Sequence, residues 1–530
     1  MLFCKTNLFF ASFAGFIGSV WLNDDVGAGR PCLQRQIPDQ SVVCVCSPAY
    51  CDDLVRDTPT PDKYVMYTSS EAGMRFVKTT HAFKTNENDS KRDQDNIVLT
   101  LDPSIKYQTV LGFGGAVTDA ASINWKNLTD PGLMQKLIDS YFSKSGLQYN
   151  MLRVPIGGCD FSTHPYAYNE IPENDPALSN YSLAYEDHHF KIPMIKEIMK
   201  VASDPVYIVA STWSPPPWMK TNRVYANVSQ LKPEYYQTYA EYFLKFVEQY
   251  ANEGIKIWGI TTTNEPLNGM FGIANFNSLG WAPLNLGRWI ANHLGPTIRN
   301  SAFRDLKIIS HDDQRATVPF YINMMLRAIS EASQYIDGFG VHYYTDLFVS
   351  AEVFSLVTEN YPDKFILATE SCEGSFPWQK EKVVLGSWDR AKAYAVDIID
   401  DLNQNVVGWI DWNLCLNAQG GPNWARNFVD SAIIVFPESK EFVKQPMYYA
   451  LSHFSKFLPR GSRRIKVTER KPLWSSRVTN VAFQTPKNTV VVILHNEDLA
   501  TNVSIEIGQK KITVPVPNRS IVTIEMLNVG

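Results

Sequence analysis

The stretch Ile255-Lys256-Ile257-Trp258-Gly259-Ile260-Thr261-Thr262-Thr263-Asn264-Glu265-Pro266 begins as a short, mostly apolar run of β-favouring residues and ends in an amide, a carboxylate and a proline. A similar run at residues 364–370 also ends in a carboxylate, that of Glu370. The C-terminal ends of parallel strands in one barrel meet at the same face. We therefore expect Glu265 and Glu370 to face each other across a cleft.

Short β-like runs alternate with helical stretches from about residue 108 to residue 412. Eight runs are predicted to be strands: residues 109–116, 149–155, 206–213, 255–261, 306–310, 338–344, 365–370 and 406–412. Between them, amphipathic patterns such as the aromatic stripe in residues 234–250 predict helices. Eight such units predict an α/β fold, a (β/α)8 TIM barrel. An open doubly wound sheet is the alternative, but Gly112-Phe113-Gly114-Gly115 lacks the glycine order of a nucleotide-binding fingerprint.

The C-terminal part of the chain has a different pattern, with short strands separated by turn residues and no helical insertions. These strands are predicted at residues 489–495, 503–507, 512–516 and 521–526. We expect this antiparallel module to pair with residues that precede the barrel. The predicted domains are residues 1–29, a signal peptide; 30–57 with 414–446, a small disulfide-bearing β subdomain; 58–107 with 462–530, a β-sandwich-like domain; and 108–413 with 447–461, the barrel.

The composition is that of a folded, exported protein. Hydrophobic residues make up 45% of the chain, and the net charge of −5 without a long basic run argues against nucleic acid as a partner. Lys5 and the apolar residues after it predict a signal peptide, with an uncleaved signal anchor as the alternative. Six Asn-x-Ser/Thr sites favour a lumenal or extracellular route. These glycosylation candidates are Asn88, Asn127, Asn180, Asn227, Asn502 and Asn518.

The cysteines also fit an oxidising compartment. Four of them lie within twenty residues of one another, a density typical of disulfides, and three pairings are possible. They are Cys32, Cys44, Cys46 and Cys51. A zinc site is the alternative, but the spacing lacks Cys-x₂-Cys, and we expect neither a metal nor a cofactor. Cys159, Cys372 and Cys415 are predicted to be buried free thiols.

Glu265 and Glu370 are the candidate catalytic pair. A glycosidic bond is cut by two carboxyl groups, of which one is protonated and the other ionised. Glu265 is the candidate acid/base and Glu370 the candidate nucleophile; the alternative is that each glutamate only pairs with an arginine. Trp213 and Trp412 end two other predicted strands, and such aromatic platforms suit the apolar C–H faces of sugars.

Other polar residues lie near predicted strand ends. Arg153 could hold a catalytic carboxylate ionised and Asp160 could accept hydrogen bonds from sugar hydroxyls, although a structural ion pair is equally consistent with the sequence. His311 and Asp312-Asp313 could bind a metal, but two adjacent acids after a strand are interpreted as loop anchors. No His-Glu-x-x-His motif or Gly-x-Ser-x-Gly elbow is present.

With these motifs the sequence resembles glycoside hydrolase family 30, most of all its acid β-glucosidases, from about Arg30 to the C-terminus. The motifs that carry the resemblance include Cys159-Asp160-Phe161-Ser162, Thr263-Asn264-Glu265-Pro266, Asp312-Asp313-Gln314-Arg315, Leu385-Gly386-Ser387-Trp388-Asp389-Arg390 and Gly420-Gly421-Pro422-Asn423-Trp424. The resemblance implies a retaining enzyme with Glu265 as acid/base and Glu370 as nucleophile. It also implies a lysosomal location, or secretion, and glucosylceramide as substrate at a membrane surface, with anionic lipid and a saposin-type activator as partners.

The resemblance further implies roles for individual residues. Asp160, Trp213, Asn264 and Trp412 are expected to line a glucose pocket, with Arg153 and Tyr344 near the nucleophile and Asn427 in a mouth loop. The implied disulfides are Cys32–Cys44 and Cys46–Cys51. Ala274 replaces a tyrosine of the mammalian enzyme in the loop after the acid/base. The alternatives are another exo-β-glycosidase of the family, acting on a xyloside or galactoside, and a catalytically inactive paralogue that binds carbohydrate or lipid.

Overall fold

The computed structural model describes residues 29–83, 96–273, 275–473 and 475–528. The predicted signal peptide, apart from its last residue, lies outside the described residues, as do the sequon at Asn88 and Ala274. Within the described part of the chain, no helix combines the length and apolarity needed to cross a bilayer.

The five described glycosylation candidates are all exposed. They are Asn127, Asn180, Asn227, Asn502 and Asn518.

Eight parallel strands, each paired with its neighbours in the chain, close into a barrel. In chain order they are Gly112–Ala116, Met151–Ile156, Tyr207–Thr212, Ile257–Thr261, Lys307–Gln314, Gly338–His342, Phe365–Glu370 and Val406–Asn413. The prediction of a (β/α)8 TIM barrel is therefore confirmed. An apolar layer closes the N-terminal half of the barrel, with Met151, Val209, Ile309, Leu367 and Ile410 among its members. Polar side chains are left to the C-terminal half.

Among the eight predicted barrel strands, the first and the fifth differ most from the structure in their bounds. The first was predicted from residue 109, but Thr109 ends the long strand Ile97–Thr109 of the other sheet, and the barrel strand begins at Gly112. The fifth was predicted to end at residue 310, but it continues to Gln314 through an irregularity between His311 and Asp313. The extension carries a charged segment into the barrel wall, where the sequence predicted a loop.

Helices cover the outside of the barrel. The α-helices are Asp119–Asn127, Pro131–Phe142, Ile192–Val201, Tyr236–Asn252, Pro266–Phe271, Pro283–Trp289, Gly295–Arg299, Val318–Ala328, Ser355–Thr358, Trp388–Asn403 and Pro446–Ser455. The aromatic stripe predicted at residues 234–250 is the buried face of Tyr236–Asn252, with Tyr239, Phe243 and Tyr250 fully buried. Side-chain caps begin several helices; Asp130, for example, accepts a 2.7 Å hydrogen bond from the Leu133 amide.

The second domain is a nine-stranded sheet formed from both sides of the barrel sequence. In spatial order its strands are Lys510–Val516, Thr501–Ile507, Ile97–Thr109, Arg463–Arg470, Val478–Gln484, Thr489–Asn496, Ser520–Leu527, Lys63–Ser70 and Val77–Ala82. Apolar residues from strands across the whole sheet share one core, as in a β-sandwich. The predicted sandwich-like domain is confirmed.

A small third sheet contains the disulfides. Its strands, in spatial order, are Gln34–Arg35, Val43–Cys46, Glu441–Lys444, Ile433–Phe436 and Leu416–Asn417. The disulfides are Cys32–Cys44 and Cys46–Cys51, which confirms the pairing that the family resemblance implied. Cys159, Cys372 and Cys415 are buried free thiols, as predicted.

Candidate active site

The C-terminal end of the barrel brings Glu265 and Glu370 together. One carboxylate oxygen of each, and a ring nitrogen of His342, lie within 4.8 Å of one another. Glu370 is the last residue of the seventh strand, His342 the last of the sixth, and Glu265 follows the fourth. The expectation that the two glutamates face each other is therefore met by the geometry.

The backbone turns sharply at Glu265. Its φ of 45° is in the left-handed region, and it is the N-cap of the short helix Pro266–Phe271, in which proline takes the first position. Its amide donates a 2.9 Å hydrogen bond to the carbonyl of Asp312. Its carboxylate accepts hydrogen bonds from Gln314 Nε2 at 2.9 Å and from His342 Nδ1 at 3.0 Å. The turn thus aims the carboxylate into the barrel mouth.

Glu370 is held by two donors. Arg153 Nη1 donates to one of its oxygens, and the hydroxyl of Tyr344 donates to the other at 2.7 Å. With one donor on each oxygen, the Glu370 carboxylate is held in a fixed orientation.

Arg153 is fully buried and lies at the centre of the polar network. Its Nη2 donates to Asn264 Oδ1 at 2.8 Å and to Asp312 Oδ2 at 2.9 Å. Its guanidinium carbon lies 4.9 Å from the ring centroid of Trp213 and 5.3 Å from that of Trp412. Burial works against ionisation of Asp312, but Arg153, followed by His342, holds the pKa of that carboxyl well below its usual range.

His342 links the two halves of this network. Its Nε2 lies 3.3 Å from Asp312 Oδ1 while its Nδ1 contacts Glu265. Burial works against the charged ring, yet the surrounding carboxylates, with Glu370 foremost, raise the pKa of His342 to about 10. Glu265, His342 and Glu370 could supply three metal ligands by distance alone. The hydrogen bonds of His342 to Glu265 and Asp312 make the cluster an ionic network.

Two tryptophans form an aromatic wall beside the carboxylates. Trp213, directly after the third strand, and Trp412, within the eighth, stack with ring centroids 5.3 Å apart and an interplanar angle of 19°. Phe161 meets Trp412 edge-on at 6.0 Å. Both tryptophans are nearly fully buried, 1% and 2% exposed, and aromatic walls of this type pack against the C–H face of a pyranose.

Asp160 lies across the mouth on the loop after the second strand. Asn423 and Asn427 each donate a side-chain amide to its Oδ2, at 3.1 and 3.0 Å. Burial raises the pKa of Asp160 to about 7, against the opposing effect of the Asn427 amide, and the charge of Glu370 adds to the rise. Its orientation is fixed by these amides.

All nine residues that the sequence singled out for this site lie at the same end of the barrel. Sequence reasoning missed the role of Asp312, which it interpreted as a loop anchor and which is instead a fully buried ion partner inside the fifth strand. It also missed Gln314 and Asn423, which bond to Glu265 and Asp160. All three belong to motifs that carried the family resemblance, which was the signal available for finding them.

Comparison with known proteins identifies this arrangement. Residues 110–458 match the glycosyl hydrolase family 30 TIM-barrel domain, and residues 461–524 match the family 30 beta sandwich domain. The chain belongs to glycoside hydrolase family 30. It is therefore a glycoside hydrolase, with its barrel and its β-sandwich in the order that the two family domains prescribe.

Similarity to individual members of family 30 indicates which type of hydrolase the chain is. The chain is 40% identical to the lysosomal acid glucosylceramidase of Mus musculus over 484 residues, which cover 90% of this chain and 92% of the mouse protein. It is 38% identical to putative glucosylceramidase 3 of Caenorhabditis elegans over 488 residues, or 91% and 92% of the two chains. Among solved structures, SrfJ from Salmonella typhimurium has the same fold, with a TM-score of 0.79 at 22% identity over 88% of this chain and 99% of SrfJ. The protein is thus a family 30 hydrolase of the glucosylceramidase type.

Proposed function

We propose that the protein is a retaining exo-β-glucosidase that hydrolyses glucosylceramide to glucose and ceramide, with Glu265 as acid/base and Glu370 as nucleophile. The observation that carries the proposal is the approach of the two carboxylates to within 4.8 Å. Retaining glycosidases have carboxyl groups about 5 Å apart, whereas inverting enzymes need about 6.5–9.5 Å to admit a water molecule. The choice of glucosylceramide as the substrate rests on the name of the mouse relative, a glucosylceramidase.

In the first step, a Glu370 oxygen attacks the anomeric carbon while Glu265 donates its proton to the glycosidic oxygen. The bond to ceramide breaks, ceramide leaves as the alcohol, and a glucosyl ester of Glu370 remains. Arg153 and Tyr344 support this step because their hydrogen bonds hold the Glu370 carboxylate in a fixed orientation. His342 and Gln314 keep the Glu265 carboxyl on the leaving-group side.

In the second step, Glu265 is ionised and removes a proton from water, which attacks the same anomeric carbon. Glucose is released with its original configuration, Glu370 regains its charge, and Glu265 regains its proton. The charge on His342 favours this step, since it stabilises Glu265 as a carboxylate after the proton has been transferred.

The remaining mouth residues are proposed to bind the sugar. Trp213 and Trp412 receive its apolar face, while Asp160, Asn264 and Asn427 accept or donate hydrogen bonds at its hydroxyls. Because Asp160 is buried and ordered by two amides, it offers a fixed acceptor, which suits selection of one sugar epimer over another.

The apolar rim supports a lipid substrate. Phe271, Ile273, Leu347, Phe348 and Trp378, which follow the C-terminal ends of three barrel strands, are 57% to 73% exposed. Exposed apolar groups of this kind around a mouth favour contact with a lipid surface. We therefore propose that the enzyme works at a membrane containing anionic lipid, in the lysosome, with a saposin-type activator; secretion is the alternative.

The first test compares three fluorogenic substrates at acid pH: a β-glucoside, the corresponding β-galactoside and the β-xyloside. We expect the glucoside to be hydrolysed at least about 10-fold faster, since a mismatched hydroxyl leaves buried polar groups unpaired. Preference for the galactoside or xyloside would instead favour another exo-β-glycosidase. No turnover of any of the three would favour a binding protein. Hydrolysis of glucosylceramide in vesicles with and without anionic lipid then tests the lipid substrate.

The second test identifies the nucleophile. A 2-deoxy-2-fluoro β-glucoside with a good leaving group should trap the glucosyl-enzyme, and peptide mass spectrometry should find the label on Glu370. The Glu370→Gln variant should take up no label and lose activity by several orders of magnitude. A label on any other residue, or full activity in Glu370→Gln, would refute the assignment.

A further inference from the structure

Asp313 is a buried carboxylate next to the Glu265 turn, with only 3% of its surface exposed. Its Oδ2 accepts a 3.0 Å hydrogen bond from the amide of Leu267, and its Oδ1 accepts a 2.7 Å bond from the amide of Gln314. Burial, with the charge of Glu265 adding, raises the pKa of Asp313 to about 7. The carboxylate thus bonds to the backbone of the helix that follows Glu265 and to the backbone of Gln314, and the described structure shows no hydrogen bond from it to Glu265 itself.

The helix Pro266–Phe271 needs a cap from outside. At most helix starts the N-cap side chain accepts a hydrogen bond from the second or third helical amide. Here the N-cap is Glu265, whose side chain makes no such bond because it points into the active site. Leu267 is the second helical residue, so Asp313 supplies the oxygen that Glu265 cannot.

The Asp313 carboxylate also contacts Gln314, the residue whose side chain bonds to Glu265. Gln314 donates to Glu265 Oε1 through its side chain, and its own amide is bound by Asp313. The left-handed turn at Glu265 and the irregular segment at Asp312 are joined by a backbone hydrogen bond of 2.9 Å. Two strained segments therefore meet at Asp313, and one side chain orders both.

We propose that Asp313 is the positioning residue for the acid/base: its carboxylate bonds to the backbone just after Glu265 and to the backbone of Gln314, whose side chain donates to Glu265. The inference rests on the proposed role of Glu265. It follows that removing Asp313 should impair proton donation to the leaving group and leave attack by Glu370 largely intact, because the hydrogen bonds shown for Asp313 go to Leu267 and Gln314, while Glu370 is held by Arg153 and Tyr344.

Leaving-group dependence separates this role from a general structural one. The leaving group of a 2,4-dinitrophenyl β-glucoside departs as the phenolate without taking up a proton. The leaving group of a phenyl β-glucoside requires a proton from the acid. A misplaced acid therefore slows the phenyl substrate far more than the dinitrophenyl substrate in the first, glycosylation step, which kcat/KM reports. A general loss of folded enzyme slows both substrates by the same factor.

The experiment measures kcat/KM for both glucosides in the wild type, Asp313→Ala, Asp313→Asn, Glu265→Gln and Asp130→Ala. Asp130→Ala is the matched control, because it removes an aspartate cap from another helix, Pro131–Phe142, on the outside of the barrel. We expect Asp313→Ala to lose about 10- to 100-fold on the phenyl glucoside and less than about 3-fold on the dinitrophenyl glucoside. Asp313→Asn keeps one oxygen acceptor and should recover part of the loss.

Each outcome decides a separate point. Equal losses on both substrates in Asp313→Ala, or in Asp313→Asn if the alanine variant does not fold, overturn the inference. A leaving-group effect in Asp130→Ala as large as that in Asp313→Ala overturns it too. If the wild type hydrolyses neither glucoside, or Glu265→Gln shows no leaving-group effect, the proposed function itself fails.

Discussion

Replacement of Asp312 by asparagine should destabilise the protein as well as inactivate it. Asp312 is fully buried, and its oxygens accept hydrogen bonds from Arg153 at 2.9 Å and from His342 at 3.3 Å. Charge-assisted hydrogen bonds contribute about 1.5–3 kcal/mol each. Asparagine also turns an N–H₂ donor toward one of these two donors, so we expect a loss of about 3–5 kcal/mol in the free energy of unfolding.

Urea denaturation of Asp312→Asn and of Asp411→Asn measures this loss. Asp411 is equally buried, but its hydrogen-bond donors are the Tyr394 hydroxyl and the Trp412 amide, and neither carries a charge. Burial raises the pKa of Asp411 to about 7, so the amide replaces a group that is already partly neutral. We expect Asp411→Asn to cost about 1 kcal/mol or less.

The pH dependence gives a second readout. His342 has a raised pKa of about 10, so its contribution to stability is fully present below its unfolded-state pKa of about 6.5 and is lost as the pH rises toward 10. Asp312 has a lowered pKa, so its contribution is present above about pH 4 and is lost only in strong acid. Asp312→Asn should flatten the loss of stability between about pH 6.5 and 10. Free energies of unfolding for Asp312→Asn and Asp411→Asn that agree to within about 1 kcal/mol would refute the reasoning.

Three further predictions follow from contacts elsewhere. Asn427→Ala should raise KM for a β-glucoside about 3- to 10-fold with kcat nearly unchanged, because Asp160 loses one of its two amide donors; steady-state kinetics would contradict this if kcat fell instead. Replacing both cysteines of the Cys46–Cys51 disulfide, which closes a five-residue separation, should cost about 2 kcal/mol in urea denaturation, and an unchanged midpoint would exclude the chain-entropy account. Arg315→Met leaves three buried aspartates without their cation. It should lower the melting temperature more at about pH 7 than at about pH 5, because repulsion between the carboxylates is weaker in acid. Equal losses at the two pH values would contradict this prediction.

The sequence predicts the barrel and the identity of the central glutamates because both depend on local signals. Strand-length apolar runs and helical periodicity mark the eight units, and Glu265 and Glu370 follow such runs directly. The bounds of the fifth strand could not be predicted, because His311 and Asp312 have left-handed φ values of 74° and 53° that only the surrounding structure stabilises.

The charge network is a tertiary property and was not visible in the sequence. Arg153 contacts residues from the fourth, fifth and seventh strand regions, which are more than 100 positions away along the chain. No local sequence pattern predicts that Asp312 lies inside a strand and faces Arg153, rather than lying in a loop. The family resemblance marked the segment 312–315 without assigning it a role.

The strand Ile97–Thr109 has consequences for how the chain is synthesised. Its two neighbours in the sheet are Thr501–Ile507 and Arg463–Arg470, so both partners leave the ribosome more than 350 residues later. Throughout translation of the barrel this edge remains unpaired and open to association with other chains. A premature stop after the barrel would leave it so permanently. Such truncated chains should aggregate although both proposed catalytic glutamates are present, which makes the last seventy residues a requirement for solubility rather than for chemistry.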